Sequence, residues 1–189
     1  MKEWQIQIKG VTPIMWSRPK KELADELKKL KSNQMDEWES KNWPRKAEYD
    51  SQGNLVIPGS WQRGCLRDSC KMNRIVPHFA KSKKETYTSY IEAMFYQDAV
   101  LSATEKDLVP FEAFVNVGTK SQPRKIWTIR PMLKNWEAAL IIKDNFGRMQ
   151  KEELKEIIDF AGLMIGMGDA RKLNFGRFDV IDIKEINGR

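Results

Sequence analysis

The chain has 189 residues, of which 41% are hydrophobic and 31% are charged, and its formal net charge at pH 7 is +7. This composition indicates a globular domain and excludes a disordered chain. No run of about 18 apolar residues is present, which excludes a membrane-spanning helix. A pI near 9.3 favours a polyanionic partner, nucleic acid before an anionic membrane. The first ten residues lack the apolar core of a signal peptide, so we expect a cytoplasmic protein.

Alternating side chains predict a first strand over 3–9, with Ile6 and Ile8 on one face. A charged helical segment follows over 20–41 and breaks near Ser32. It carries too few apolar residues for a core helix. We interpret it as an excursion from the domain, which is either a solvated helix or a contact with a neighbouring subunit.

A short strand over 54–57 precedes a helix predicted over 60–73, for which Ser60 is a suitable N-cap. The basic side chains of this helix lie roughly on one side, because the second, third and fourth follow the first by four, eight and eleven residues. They are Arg63, Arg67, Lys71 and Arg74. Residues 60–84 carry a charge of +6, nearly the whole net charge of the chain. This almost single-signed face is unlike an ordinary solvated helix face, where the signs are mixed.

Cys65 and Cys70 lie in the same predicted helix, five residues apart. That spacing puts the two thiols on different faces, so we expect no disulfide between them. With His78, the single histidine, they form no recognisable metal set. We therefore expect no metal and no cofactor.

Residues 87–95 fit a short helix, and strands are predicted over 111–117, 126–129 and 136–142, with a loop over 118–123. The segment between Glu112 and Glu137 is a second basic block of charge +5. Its bases are Lys120, Arg124, Lys125, Arg130 and Lys134. Bases and an aromatic residue on a strand fit a groove that follows a nucleic-acid backbone and stacks its bases. Trp127 is either such a stacking platform or a core residue.

The clearest helix is predicted over 151–165, and a closing strand follows over 177–186. The loop between them contains three glycines and three bases: Gly166, Gly168, Gly176, Arg171, Lys172 and Arg177. Such a loop can hold a phosphate chain through its N–H groups and cations. The alternative is an ordinary loop with a helix C-cap at Gly166 and a turn at Gly176.

The strongest elements follow the order strand, helix, strand pair, helix, strand. They cover 3–9, 60–73, 111–142, 151–165 and 177–185. This order predicts an α+β protein with a ferredoxin-like βαββαβ core of RNA-recognition type. The open face of such a sheet commonly carries a single strand of nucleic acid. We expect one domain over 1–189, with insertions at roughly 20–57 and 75–110.

Three stretches resemble the RAMP superfamily, which builds the backbone of CRISPR effector complexes. They are VTPIM after the first strand, IPGSWQRGCLRDS at the start of the first core helix, and the terminal IGMGDARKLNFGRFDV. The whole chain is also similar to uncharacterised phage-encoded proteins of this type, which share the pattern IRP-x-x-x-x-W at Ile129–Trp136. The sequence shows no long hairpin of the kind that CRISPR subunits carry as a thumb.

The resemblance implies a ferredoxin-like core that binds single-stranded RNA or DNA and often polymerises along it. We therefore expect a non-catalytic, sequence-tolerant binder of phage type that associates with itself in the host-cell cytoplasm. Two alternatives stay open. One is a RAMP-like endoribonuclease, for which His78 is a weak catalytic candidate, and the other is an inhibitor that mimics a subunit of a CRISPR complex. Asp68 and Asp169 more simply pair with neighbouring arginines than bind a metal.

The expected nucleic-acid path joins three groups of residues. They are Arg63, Arg67, Lys71 and Arg74 on the first core helix; Lys120, Arg124, Lys125, Trp127 and Arg130 in the second basic block; and Gly166, Gly168, Arg171, Lys172 and Arg177 in the glycine loop.

Overall fold

The structure is a computed structural model that describes residues 1–16, 21–80, 86–119 and 122–186. Helices and antiparallel sheets combine in it, which confirms the α+β class. The strands are β1 (Lys2–Gly10), β2 (Ile14–Met15), β3 (Val56–Ile57), β4 (Phe95–Tyr96), β5 (Ala99–Val100), β6 (Leu108–Thr119), β7 (Gln122–Leu133), β8 (Glu137–Asp144) and β9 (Phe178–Ile186). The helices are α1 (Lys21–Lys29), α2 (Met35–Asn42), α3 (Gly59–Asn73), α4 (Thr88–Ala93) and α5 (Lys151–Phe160), and α5 continues as a π-helical turn over Ala161–Ile165. Within these described ranges, no helix is long and apolar enough to cross a membrane.

The main sheet has four strands in the order β4–β8–β1–β9, and neighbouring strands are antiparallel. β1 is one of its two central strands. Its alternate residues Trp4, Ile6 and Ile8 are buried, as the period of two predicts. They share one core cluster with Leu66 of α3 and Ile157 of α5. The predicted first strand, closing strand and two principal helices are therefore confirmed.

A long hairpin stands outside the main sheet. β6 and β7 are 12 residues each and pair along their whole length, from Leu108 with Leu133 to Thr119 with Gln122. At about 3.4 Å per residue the hairpin is about 40 Å long. With β2 it forms a separate three-stranded sheet. The expectation that the sequence lacks a long hairpin is therefore wrong.

Three further predictions about these strands are wrong. The strand pair expected in the main sheet over 111–142 is correct only for its last part, β8, because β6 and β7 belong to the second sheet. The loop expected over 118–123 is mostly ladder, since Gly118 pairs with Pro123. Pro131 breaks no strand either. The Pro131 carbonyl accepts a hydrogen bond from the Trp16 N–H at 3.1 Å, so it faces away from β6. The nitrogen of the same residue faces the same way, and the β6–β7 ladder therefore needs no N–H at this position.

The charged excursion packs on the hairpin through its second half. Glu39 and Lys46 form a buried ion pair against β7. The Lys46 ammonium also donates to Thr128 Oγ1 and to the Ile129 carbonyl, each at 2.9 Å. The Ile129 N–H donates to the Glu39 carboxylate at 2.9 Å. This part of the excursion is therefore attached to the hairpin through Glu39, while Asp36, Glu37, Ser40 and Lys41 on the rest of α2 are exposed to solvent.

Helix α3 begins one residue before the predicted cap. Pro58 occupies the N-cap position and Ser60 lies within the first turn, so the prediction of Ser60 as N-cap is wrong. The N–H of Gly59 donates instead to the Asp98 carboxylate at 2.7 Å. A carboxylate from a distant turn thus satisfies one free donor at the positive end of the helix.

Cys65 and Cys70, both in α3, are buried and free, as predicted. Burial raises the pKa of each thiol to about 12, so both are neutral at physiological pH.

Candidate nucleic-acid interface

A cleft of about 430 Å³ lies between the start of α3 and the glycine loop, residues 166–177. Helix α3 contributes Ser60, Trp61 and Gly64 to its wall, and the loop contributes Gly168, Asp169, Ala170, Arg171 and Lys172. The helix thus presents small or flat side chains, and the loop presents two cations and one carboxylate. A cleft of this composition can accept a polyanionic chain.

Two glycines of the loop are required by its shape. Gly168 has φ +83°, and a Cβ there would lie 2.9 Å from Ile14 Cγ1 and 2.9 Å from the Met15 carbonyl. Gly176 has φ +73°, and a Cβ there would lie 1.7 Å from the Met167 carbonyl. Only glycine combines left-handed backbone with such close approach. The loop therefore has a defined and closely packed backbone conformation.

The loop is fastened to the turn after β1. The Asp169 N–H donates to the Met15 carbonyl at 2.9 Å, and the Gly176 N–H donates to the Pro13 carbonyl at 2.7 Å. Thr12 Oγ1 donates to the Asn174 carbonyl at 2.7 Å. These bonds fix the backbone that carries Arg171 and Lys172.

Asp68 and Asp169 organise the arginines around the cleft. Asp68 lies 3.0 Å from Arg67 and 3.4 Å from Arg171, so it joins the helix to the loop. Asp169 lies 3.5 Å from Arg130 and joins the loop to the base of the hairpin. The predicted pairing of both acids with arginines is confirmed. Asp68 pairs with two arginines and Asp169 with one. Residues from the first core helix, the second basic block and the glycine loop therefore come together around these two acids.

The remaining predicted residues occupy three kinds of place. Arg63, Lys71 and Arg74 are exposed along α3. Arg177 lies partly beneath the loop, where its Nη2 donates to Asn174 Oδ1 at 3.2 Å and its buried Nη1 has no hydrogen-bond partner. Gly166 is buried with φ +78° at the end of the π-helical turn. Lys120 lies outside the described residues, as does the side chain of Arg124, whose backbone belongs to β7.

The hairpin carries a partly exposed aromatic pair. Trp127 stands directly opposite Phe114, whose side chain is 74% exposed. Trp127 Nε1 donates to Glu112 at 3.4 Å. Lys125 is exposed on the same strand, five residues or about 17 Å from Arg130. Trp127 is therefore not a residue of the main core, but it lies away from the cleft.

The open face of the main sheet is poorly suited to nucleic acid. Its charges are balanced in cross-strand ion pairs, Lys9 with Glu137 at 3.2 Å and Lys143 with Glu3 at 3.5 Å. Phe95 supplies an aromatic ring only at the short edge strand β4. The cations gather instead at the cleft beside α3, so the expectation of a strand on the sheet face is not supported.

His78 lies outside the cleft. Its Nδ1 is 2.9 Å from Glu153 in the first turn of α5, and its ring packs edge-on against Phe79. Among the described residues, no group of three or more histidines, cysteines and acids could hold a metal ion. The weak catalytic candidate therefore does not belong to the cleft beside the glycine loop.

Sequence reasoning missed the contribution of Trp61 to the cleft. Its helical position suggested core packing, and part of the ring does pack, 6.2 Å from the buried Trp16. Ser60 and Gly64 lie beside Trp61 on the same wall, because positions 60, 61 and 64 share one side of a helix. The sequence signal was the absence of large side chains at 60 and 64.

Comparisons with known proteins bear on the fold alone. No protein-family model and no curated protein matches the chain. Among solved structures, it is similar to a chain in the cryo-EM structure of the type III-B Cmr-beta bound to cognate target RNA. The TM-score is 0.55 at 15% sequence identity, over 98% of this chain and 60% of that one. This chain therefore spans less than two thirds of the length of its structural neighbour. At this identity the likeness supports a shared fold and nothing finer.

Proposed function

We propose that the protein binds single-stranded nucleic acid without strong base preference and without cutting it. The observation that carries this proposal is the cleft between α3 and the glycine loop, where Arg171 and Lys172 stand on a rigid backbone. Phosphates would interact with these cations and with Arg67 and Arg130 nearby. RNA is favoured over DNA as the ligand, because the structural neighbour is bound to target RNA.

The architecture proposed for this function is a ferredoxin-like core. In a βαββαβ chain of that kind, the second, third, first and fourth strands follow one another across the sheet. β4, β8, β1 and β9 have this order, with α3 and α5 as the two helices. We infer one domain over 1–189, with insertions at roughly 20–57 and 75–110 and the hairpin as a further projection.

The phage setting and self-association remain part of the proposal through the family resemblance. A hairpin with two 12-residue strands is long enough to reach a second copy bound to the same nucleic acid. Nuclease activity is disfavoured, since Asp68 and Asp169 are held by arginines and His78 by Glu153. The geometry therefore fits a non-catalytic binder best, and the family resemblance adds the host-cell cytoplasm to the proposal.

The test is fluorescence polarisation with labelled 20-nucleotide RNA and DNA of the same sequence. We expect the double charge reversal Arg171→Glu with Lys172→Glu to weaken binding at least about tenfold. Loss of two phosphate contacts should also make the slope of log K against log salt less steep by about 1.4. The matched control is Lys28→Glu with Lys29→Glu, which changes the net charge equally on exposed residues of α1.

Equal losses in the two double variants would show that net charge, and not this cleft, drives binding. No binding of either wild-type strand at low salt would refute the proposed function altogether. Tighter binding of DNA than of RNA would contradict the preference for RNA while leaving the cleft assignment intact.

A further inference from the structure

A second cleft, of about 540 Å³, lies near the opposite end of α3 from the glycine loop. Its walls come from the segment after α3, from α4 and from the turn between β8 and α5, and they include Phe79, Ser89, Tyr90 and Phe146. Helix α3 has 15 residues and is about 22 Å long, so the two clefts are about that far apart. The proposed backbone site does not use this second cleft.

The second cleft is built from aromatic rings. The ring of Tyr90 lies 5.3 Å from that of Phe79 and 5.4 Å from that of Phe146, measured between centroids. Tyr87 is fully buried behind them, 5.8 Å from Tyr90. The side chain of Phe146 is 60% exposed, so a large apolar surface faces solvent at this point. Stacking on such rings is the usual way that proteins hold a flat ligand.

The exposure of Phe146 is fixed by a buried carboxylate. Asp144 accepts bonds from Tyr90 Oη at 2.6 Å and from the N–H groups of Phe146, Gly147 and Met149 at 2.9 to 3.0 Å. Asp144 is fully buried, and its bonds determine the shape of the turn. Phe146 is therefore held on a rigid backbone with its ring against Tyr90 and most of its surface exposed.

Polar groups around the rings select the kind of ligand. The guanidinium of Arg148 lies 5.6 Å from the ring centroid of Phe79 and is exposed. The hydroxyls of Thr86 and Ser89 are on the rim of the cleft. Aromatic faces, hydroxyls and a cation together match a nucleotide, which offers a flat base with polar edges and a phosphate. An apolar peptide would offer this cation no opposite charge.

We propose that this second cleft binds one unstacked base of the same strand whose backbone lies in the first cleft. The inference rests on the proposed function. The exposed basic side chains of Arg63, Lys71 and Arg74 along α3 would contact the phosphate backbone of the strand between the two sites. The protein then holds a strand at two points, by its phosphates at one end of α3 and by a base at the other.

The test compares a 20-nucleotide single strand with a strand of equal length made only of abasic nucleotides. Phe146→Ala should weaken binding of the normal strand about 5-fold or more, the usual effect of removing one stacking ring. The abasic strand should bind the variant and the wild type equally. Phe95→Ala is the matched control, since Phe95 is 55% exposed and lies outside the cleft. It should leave both affinities unchanged.

A strand carrying the fluorescent base 2-aminopurine gives a direct signal. Wild-type protein should quench its emission on binding, and Phe146→Ala should quench it less. Unchanged affinity and unchanged quenching in Phe146→Ala, with normal strand binding by the wild type, would overturn the base site and point to a protein partner instead. Failure of the wild type to bind any strand would refute the proposed function, and the base site with it.

Discussion

Replacing Lys46 with methionine should destabilise the protein strongly. The Lys46 side chain is 3% exposed and the Glu39 side chain 6% exposed. Burial lowers the pKa of Lys46, while the hydrogen bond and the charge of Glu39 act in the opposite direction. Lys46→Met removes the cation and leaves the Glu39 carboxylate buried. Breaking a buried pair in this way costs about 3–5 kcal/mol of unfolding free energy.

Urea unfolding followed by circular dichroism measures this cost. Lys41→Met is the matched control, because Lys41 pairs with Glu37 at 2.6 Å on the same segment but both side chains are about 70% exposed. An exposed pair contributes little, so the control should unfold like the wild type. The double variant Glu39→Gln with Lys46→Met should recover most of the loss, since it buries no unpaired charge and keeps an acceptor for the Ile129 N–H.

Two outcomes would contradict the expected cost. One is the same midpoint of unfolding for Lys46→Met and Lys41→Met, and the other is a double variant that is less stable than Lys46→Met alone. Either result would mean that the Glu39–Lys46 pair does not hold the excursion on the hairpin.

Two further predictions concern stability. Gly168→Ala should lower the free energy of unfolding by about 2–4 kcal/mol, because φ is positive there and the new Cβ would contact Ile14. Gly64→Ala, in open space within α3, should raise the free energy of unfolding by about 0.5–1 kcal/mol. Urea unfolding of both variants measures the two changes. Folding raises the pKa of Cys65 and Cys70 from 9.0 to about 12, so stability is complete below pH 9 and falls as pH rises toward 12. At pH 10 the two thiols together should have lowered the free energy of unfolding by about 3 kcal/mol. The variant with alanine at both positions should lose stability less steeply as pH rises. A wild type whose free energy of unfolding did not change between pH 8 and pH 10 would contradict this prediction.

The parts of the fold that periodicity controls could be predicted from the sequence. β1 alternates with a period of two, and α5 places Leu154, Ile157 and Ile158 at helical spacing, so each pattern has one interpretation. The glycine loop was also identifiable, because left-handed turns and close backbone contacts require glycine at positions such as Gly168.

The hairpin was missed because its residues carry turn signals without forming turns. Pro110 and Pro131 stand opposite each other in the ladder, and Gly118 stands opposite Pro123. Whether a proline interrupts a ladder depends on which side its nitrogen faces, and that side is set by register. Register depends on partner strands and on packing, which a single sequence does not display.

The candidate site was predictable in composition but not in assembly. The basic residues were visible, yet nothing in their spacing shows that Asp68 joins Arg67 to Arg171 or that Asp169 reaches Arg130. The aromatic cleft left even less trace. Phe146 belongs to a turn, and its outward position depends on the buried Asp144.

The fastening of the glycine loop to the turn after β1 has a consequence for biosynthesis. Thr12 bonds to Asn174 and Arg177, partners 162 and 165 positions away along the chain. Contacts of such separation form late, since a long loop must close first. A nascent chain still on the ribosome therefore has no finished cleft until residues 174 to 177 have left the exit tunnel.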